Sequence, residues 1–262
     1  MKVTRISSIN SFYETIEHLD GAAYADAIEK HYELNYEIPE EDFKRLPKEG
    51  PFITISNHPL GAIDGILLFK LMVRNRPDYK IMANFLLQRM APLEPYIIPV
   101  NPFEDHKDVK SSISGFKNAL THLKDGHPLG IFPAGEVSTH KDGKFIVDKP
   151  WEEAALKLIR KAGVPVVPIY FHARNSKLFY RLAKMNGVFR TAKIPSEVYS
   201  QRNRPIKIRI GQPISLKAQQ EQETLEDFTD LLRKKTYILA NAYVKERLID
   251  LIPSSMKLAE SR

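Results

Sequence analysis

The sequence predicts an α/β protein: one main domain whose largely parallel central sheet is flanked by helices. Three observations carry this. Apolar runs of strand length alternate with stretches of helical spacing, which favours right-handed crossovers between parallel strands. The 262 residues are 43% hydrophobic and 27% charged, ordinary for a soluble domain, and a chain of this length buries about 70–75% of its unfolded surface. The longest apolar stretches, residues 66–73 and 164–171, fall far short of the ~20 residues that cross a bilayer.

The elements follow in order. Residues 1–50 read as an N-terminal helical extension packed on the main domain, because Ile16, Leu19, Ala23, Ala27 and Tyr32 recur at roughly helical spacing before Pro39 and Pro47. Residues 51–56 form a buried strand and 66–72 a helix; further strands are expected at 79–83 and 96–100, the latter stopped by Asn101-Pro102. In residues 111–124, Ile113, Phe116, Leu120 and Leu123 share one helical face, closed by Asp125-Gly126. Residues 129–133 make a short buried strand with 134–138 as the loop beyond it. Residues 151–162 form a helix that starts after Pro150 and ends at Gly163. Strands at 164–171 and 207–211 and a long amphipathic helix at 225–252 complete a main domain over 51–252, with 253–262 as a tail.

Composition excludes several chemistries. There is no cysteine, hence no disulfide, catalytic thiolate or cysteine-held metal. Lys2 and Arg5 are followed by no apolar core, so no secretory signal is expected and the expected location is cytoplasmic. The net charge of +7 is unevenly spread: residues 1–50 carry 6 bases against 11 acids, residues 174–210 carry 10 bases against the single acid Glu197. With Phe179, Tyr180, Phe189 and Tyr199 interleaved, the later segment suits an anionic membrane surface, an acidic protein or a nucleic acid, and composition alone does not choose among them. Arg190, Lys193, Arg202, Arg204 and Lys207 are its candidate contacts. No helix-turn-helix, zinc-finger or RNP-type pattern supports a nucleic-acid partner. His106 and His140 stand among acids without a metal-ligand spacing, and no metal is expected.

The residues of greatest chemical interest are His58 and Asp64, in Asn57-His58-Pro59-Leu60-Gly61-Ala62-Ile63-Asp64. A neutral imidazole accepts a proton from a hydroxyl near pH 7, and a carboxylate on its other nitrogen fixes the tautomer. No Gly-x-Ser-x-Gly elbow is present, so the hydroxyl would belong to a substrate. The same segment also reads as a strand-to-helix turn in which His58 caps a backbone group and Asp64 favours the helix N-terminus.

Three further blocks bear on that choice. Residues 57–64, Ile97-Ile98-Pro99-Val100-Asn101, Ile131-Phe132-Pro133-Ala134-Gly135-Glu136 and Val164-Pro165-Val166-Val167-Pro168-Ile169 resemble, in order, the four blocks of the glycerolipid and lysophospholipid acyltransferase (PlsC-like) superfamily; residues 208–214 resemble the strand that often follows. The resemblance implies transfer of a fatty acyl group from an acyl carrier protein or coenzyme A thioester, with no further cofactor, to a lipid hydroxyl. It also implies His58 as base, Asp64 as its partner, and peripheral attachment to the cytoplasmic face of a membrane. Asn57, Gly61, Asn101, Gly135, Glu136, Ser138, Arg174 and Asn175 are the expected substrate contacts, with backbone amides near Gly61 or Gly135 for the oxyanion.

Departures from the pattern bear on the acceptor. The spacer between His58 and Asp64 is five residues where the family has four. Asn101 and Val137 stand where the family carries arginines for an acceptor phosphate, and the acid of the third block is displaced to Glu136. The variant resembles the bacterial hemolysin-like subgroup that O-acylates amino-acid lipids, rather than a 1-acylglycerol-phosphate acyltransferase. A non-catalytic lipid-binding protein on the same scaffold is the reading from another class.

Overall fold

The computed structural model describes residues 5–100, 109–141, 145–185, 187–202 and 204–243. Helices α1 (Ile6–Ile16) and α2 (Gly21–Tyr32), strand β1 (Tyr36–Glu37) and the short α3 (Glu40–Phe43) precede β2 (Ile53–Ser56). Then come α4 (Ala62–Asn75), β3 (Lys80–Asn84), β4 (Ile97–Val100), α5 (Val109–Lys124) and β5 (Leu129–Ile131). A hairpin of β6 (Thr139–Lys141) and β7 (Phe145–Val147) leads to α6 (Glu153–Ala162) and β8 (Val166–His172). Helices α7 (Lys177–Met185) and α8 (Gly187–Lys193), strand β9 (Ile206–Ile210), α9 (Leu216–Gln220) and α10 (Leu225–Tyr237) follow.

Seven strands form one sheet in the order β1-β9-β8-β2-β5-β3-β4, parallel throughout except at the β8–β9 pair. Alternation along the strands feeds two cores. Phe52, Val167, Ile169 and Phe171 face the side covered by α2 and α4; Ile53, Ile55, Val166 and Tyr170 face α6 and α10. The carboxyl ends of β2, β3, β4, β5 and β8 therefore share one edge of the sheet, and His58 leaves the first of them. In an open α/β sheet that edge is where ligands bind.

Several expectations are refined. The first 50 residues supply Tyr24, Ala25 and Tyr32 to the same core as α4, and β1 extends the sheet beside β9. Helix α4 begins at Ala62, four residues before the apolar run, because Gly61 at φ +83° starts it. The loop expected at 134–138 rises into the β6–β7 hairpin, whose strands of three residues are too short for alternation to show. The C-terminal helix gives way after Tyr237 to a 3-10 turn, Ile238–Ala242; residues 244–262, with the expected tail, lie outside the described residues.

Part of the uneven charge is paired in the fold. Arg202 pairs with Glu33, and Arg209 lies 2.7 Å from the buried Asp42, which also takes Arg45 at 2.9 Å. Two bases of the later segment thus meet acids of the N-terminal region near β1 and β9.

Candidate active site

Strand β2 carries His58 past the sheet, and the first turn of α4 returns Asp64 to it. Nδ1 of His58 lies 2.9 Å from Oδ1 of Asp64, at an angle too bent for an aligned hydrogen bond. The five-residue spacer keeps the contact, then, at some cost in alignment; catalytic hydrogen bonds of this kind commonly tighten when substrate binds. Asp64 is fully buried and anchored by the backbone N–H groups of Leu60 (2.8 Å) and Gly65 (3.0 Å). With Phe132 at the end of β5 tilted against its ring at 4.1 Å, the imidazole has one face covered and Nε2 pointing away from the carboxylate.

A second carboxylate stands behind the histidine. Asp148, just past β7 and 4% exposed, accepts the backbone N–H of His58 (3.1 Å), the Ser138 hydroxyl (2.5 Å) and the Trp151 indole N–H (3.1 Å). The Ser138 N–H donates to the His58 carbonyl at 2.8 Å, so the His58 backbone is held at both ends. The Asp148 N–H is bonded in turn by the Tyr237 hydroxyl at 2.8 Å. Burial pushes the His58 imidazole down, but the charges of Asp64 and Asp148 outweigh it and hold the ring above its ordinary value. Sequence reasoning missed Asp148; the Asp-x-x-Trp spacing, which lets the indole reach the carboxylate, was the available signal.

Among the expected contacts, several serve the scaffold. Both amide atoms of Asn57 bond the Phe171 backbone, at 3.0 and 2.7 Å, stitching the end of β2 to β8, and the residue is 2% exposed. Asn175, also buried, donates to the Pro59 carbonyl at 3.1 Å and so holds the turn before α4. Gly61 is required: a Cβ there would lie 3.0 Å from Val137 and 3.1 Å from Ile194. The Gly135 N–H is spent on the Phe132 carbonyl at 3.0 Å, which leaves the α4 end of the site for an oxyanion. Arg174 is exposed beyond β8. Asn101 and His106 lie outside the described residues, and His140 packs edge-on to Tyr180 at 4.2 Å.

The basic patch is divided rather than gathered. Lys193 is 11% exposed and bonds Glu197 at 2.8 Å; Arg202 is taken by Glu33; Arg204 and Lys207 have no ion pair among the described residues. Arg190 turns inward, 2.6 Å from Glu136 beyond β5, where Lys149 also lies at 2.6 Å. These cations overcome burial and hold the Glu136 carboxyl below its ordinary value. Arg190 Nε is buried without a hydrogen-bond partner. Glu136 thus meets two cations, one from α8 and one from the segment after β7.

Comparison with known proteins places the chain in a family and supports its fold. The family model described as Acyltransferase matches residues 2–245. The chain belongs to the acyltransferase family. Two curated relatives carry the name lyso-glycine lipid O-acyltransferase. The one from Bacteroides thetaiotaomicron is 27% identical over 245 residues, covering 91% of this chain and 87% of its own; that from Phocaeicola vulgatus is 27% identical over 240 residues, covering 88% and 82%. Among solved structures, the 1-acyl-sn-glycerophosphate acyltransferase PlsC of Thermotoga maritima superposes with a TM-score of 0.51 at 17% identity, covering 82% of this chain and 77% of that one, and so shares the fold. The protein is an acyltransferase that shares the PlsC fold, with a mostly parallel α/β sheet as the sequence predicts. None of its described helices is long and apolar enough to cross a membrane.

Proposed function

We propose that the protein transfers a fatty acyl group from an acyl carrier protein or coenzyme A thioester to the hydroxyl of a lyso-amino-acid lipid at an anionic membrane surface, with His58 as general base. The observation that carries this reading is the contact of His58 Nδ1 with buried Asp64, which leaves Nε2 for a substrate hydroxyl. Nε2 takes the hydroxyl proton as the oxygen attacks the thioester carbonyl. Asp64 and Asp148 favour the imidazolium that forms. The tetrahedral oxyanion sits against the positive end of α4, where the amides of Gly61 and Ala62 are the candidate donors. Collapse expels the thiolate, which recovers the proton from Nε2, so donor and acceptor leave as thiol and ester.

The acceptor's anionic head group is assigned to Arg190 and Lys149, whose charge Glu136 only half neutralises. A carboxylate fits this partly satisfied guanidinium, in keeping with the name of the curated relatives. The test is purified protein with labelled acyl carrier protein or acyl-coenzyme A and either lyso-glycine lipid or lysophosphatidate, products being separated by mass. O-acylated glycine lipid is expected from one donor. Free fatty acid alone, or phosphatidate as the sole product, would overturn the assignment.

A further inference from the structure

The edge of the sheet that holds His58 also carries most of the exposed large apolar side chains found among the described residues. Of eight, five lie on two segments: Phe85 (38% exposed), Leu86 (43%) and Leu87 (39%) directly follow β3, and Leu178 (45%) and Met185 (73%) belong to α7 after β8. Both strands run parallel to β2, so both segments emerge beside His58. Three strand spacings separate β8 from β3, roughly 14 Å, and His58 rises from β2 between them. Packing of Phe179 and Tyr180 with Val137 and Ile146 fixes α7 over this edge.

Charge on the same rim is of one sign. Neither residues 85–89 nor α7 contains an acid, and the exposed Arg89, Arg174, Lys177 and Arg181 have no ion pair among the described residues. That sets them apart from Arg190, Lys193, Arg202 and Arg209, each of which has an acidic partner. Apolar side chains interspersed with unpaired cations are what an interfacial element needs: the former enter the acyl boundary, the latter meet lipid phosphates. An acidic carrier protein would satisfy the cations but leave the five apolar side chains in water, so lipid is the occupant favoured.

We infer that the rim formed by residues 85–89 and α7 docks the protein on an anionic leaflet, with His58 opening toward the lipid between them. This deepens the proposed function by naming where the membrane meets the site, and its test needs no turnover. Sedimentation with vesicles of phosphatidylglycerol and phosphatidylcholine in equal parts, against phosphatidylcholine alone, reads it directly. Wild type and His58→Ala should bind the anionic vesicles alike and release with salt. Leu86→Glu/Leu87→Glu and Lys177→Glu/Arg181→Glu should each weaken binding about tenfold or more, whereas Leu216→Glu/Ile238→Glu and Arg202→Glu/Arg204→Glu should not. As a readout free of mutation, vesicles should slow amide exchange in 85–89 and 177–185 of the wild type. Rim variants that bind like wild type, exchange unchanged in both segments, or binding of acyl carrier protein without binding of vesicles would each overturn the inference.

Discussion

The turn at residues 57–65 and the segments at residues 138–141 and 145–151 both place a buried carboxylate on His58, and they do so differently. Asp64 touches the imidazole through Nδ1, six residues along the chain. Asp148, 90 residues away, holds the backbone N–H of the same residue, and Ser138 holds its carbonyl. One region orients the ring; the other fixes the main chain from which the ring projects. Both bias the ring toward its protonated form, so charge is shared where geometry is divided.

That division can be broken experimentally, beginning with the group both regions serve. His58→Ala should cut acyl transfer by about 10²–10⁴-fold with the fold retained, measured as acylated product per enzyme alongside Tm. Asp64→Asn should lower kcat by roughly 10²-fold, within the same range, while acceptor KM changes little, because the ring loses its orienting charge and not the site its shape. Arg190→Ala should instead raise KM for the acceptor with kcat largely kept, by about tenfold or more, as expected when a charged contact equal in ground and transition states is lost. Asp148→Asn should reverse the Asp64 pattern: an amide cannot accept all three donors, so stability should drop by about 1–3 kcal/mol in denaturant unfolding while kcat falls less than in Asp64→Asn. Smallest of all, Arg202→Ala removes an exposed pair with Glu33 and should leave both Tm and kcat where they were.

What could be read from the sequence follows the same line. The strands at residues 53–56, 97–100 and 166–172 were visible because buried parallel strands are continuous apolar runs with breakers after them. His58 and Asp64 were visible because both belong to one short segment. Asp148 was not, since its three donors come from positions 58, 138 and 151, which only the crossover from β5 to β8 brings together. From the sequence Arg190 belongs to the basic surface patch, because its partner Glu136 lies 54 residues earlier. The β6–β7 hairpin, three residues to a strand, is shorter than any alternation can signal. Local chemistry was legible; the long-range pairs that tune it were not.

The ionisation of His58 joins the two regions in one observable. A folded-state value raised above the ordinary ~6.5 means that the protonated ring adds stability at low pH, lost as pH rises through that value. Activity runs the other way, since the base must be neutral. The decisive measurement is therefore the acidic limb of kcat/KM against pH for wild type, Asp64→Asn and Asp148→Asn. The limb should lie above 6.5 in the wild type and move to lower pH in both variants, more in Asp64→Asn; a limb that neither substitution moves would contradict the assignment of His58 as a base held by two carboxylates.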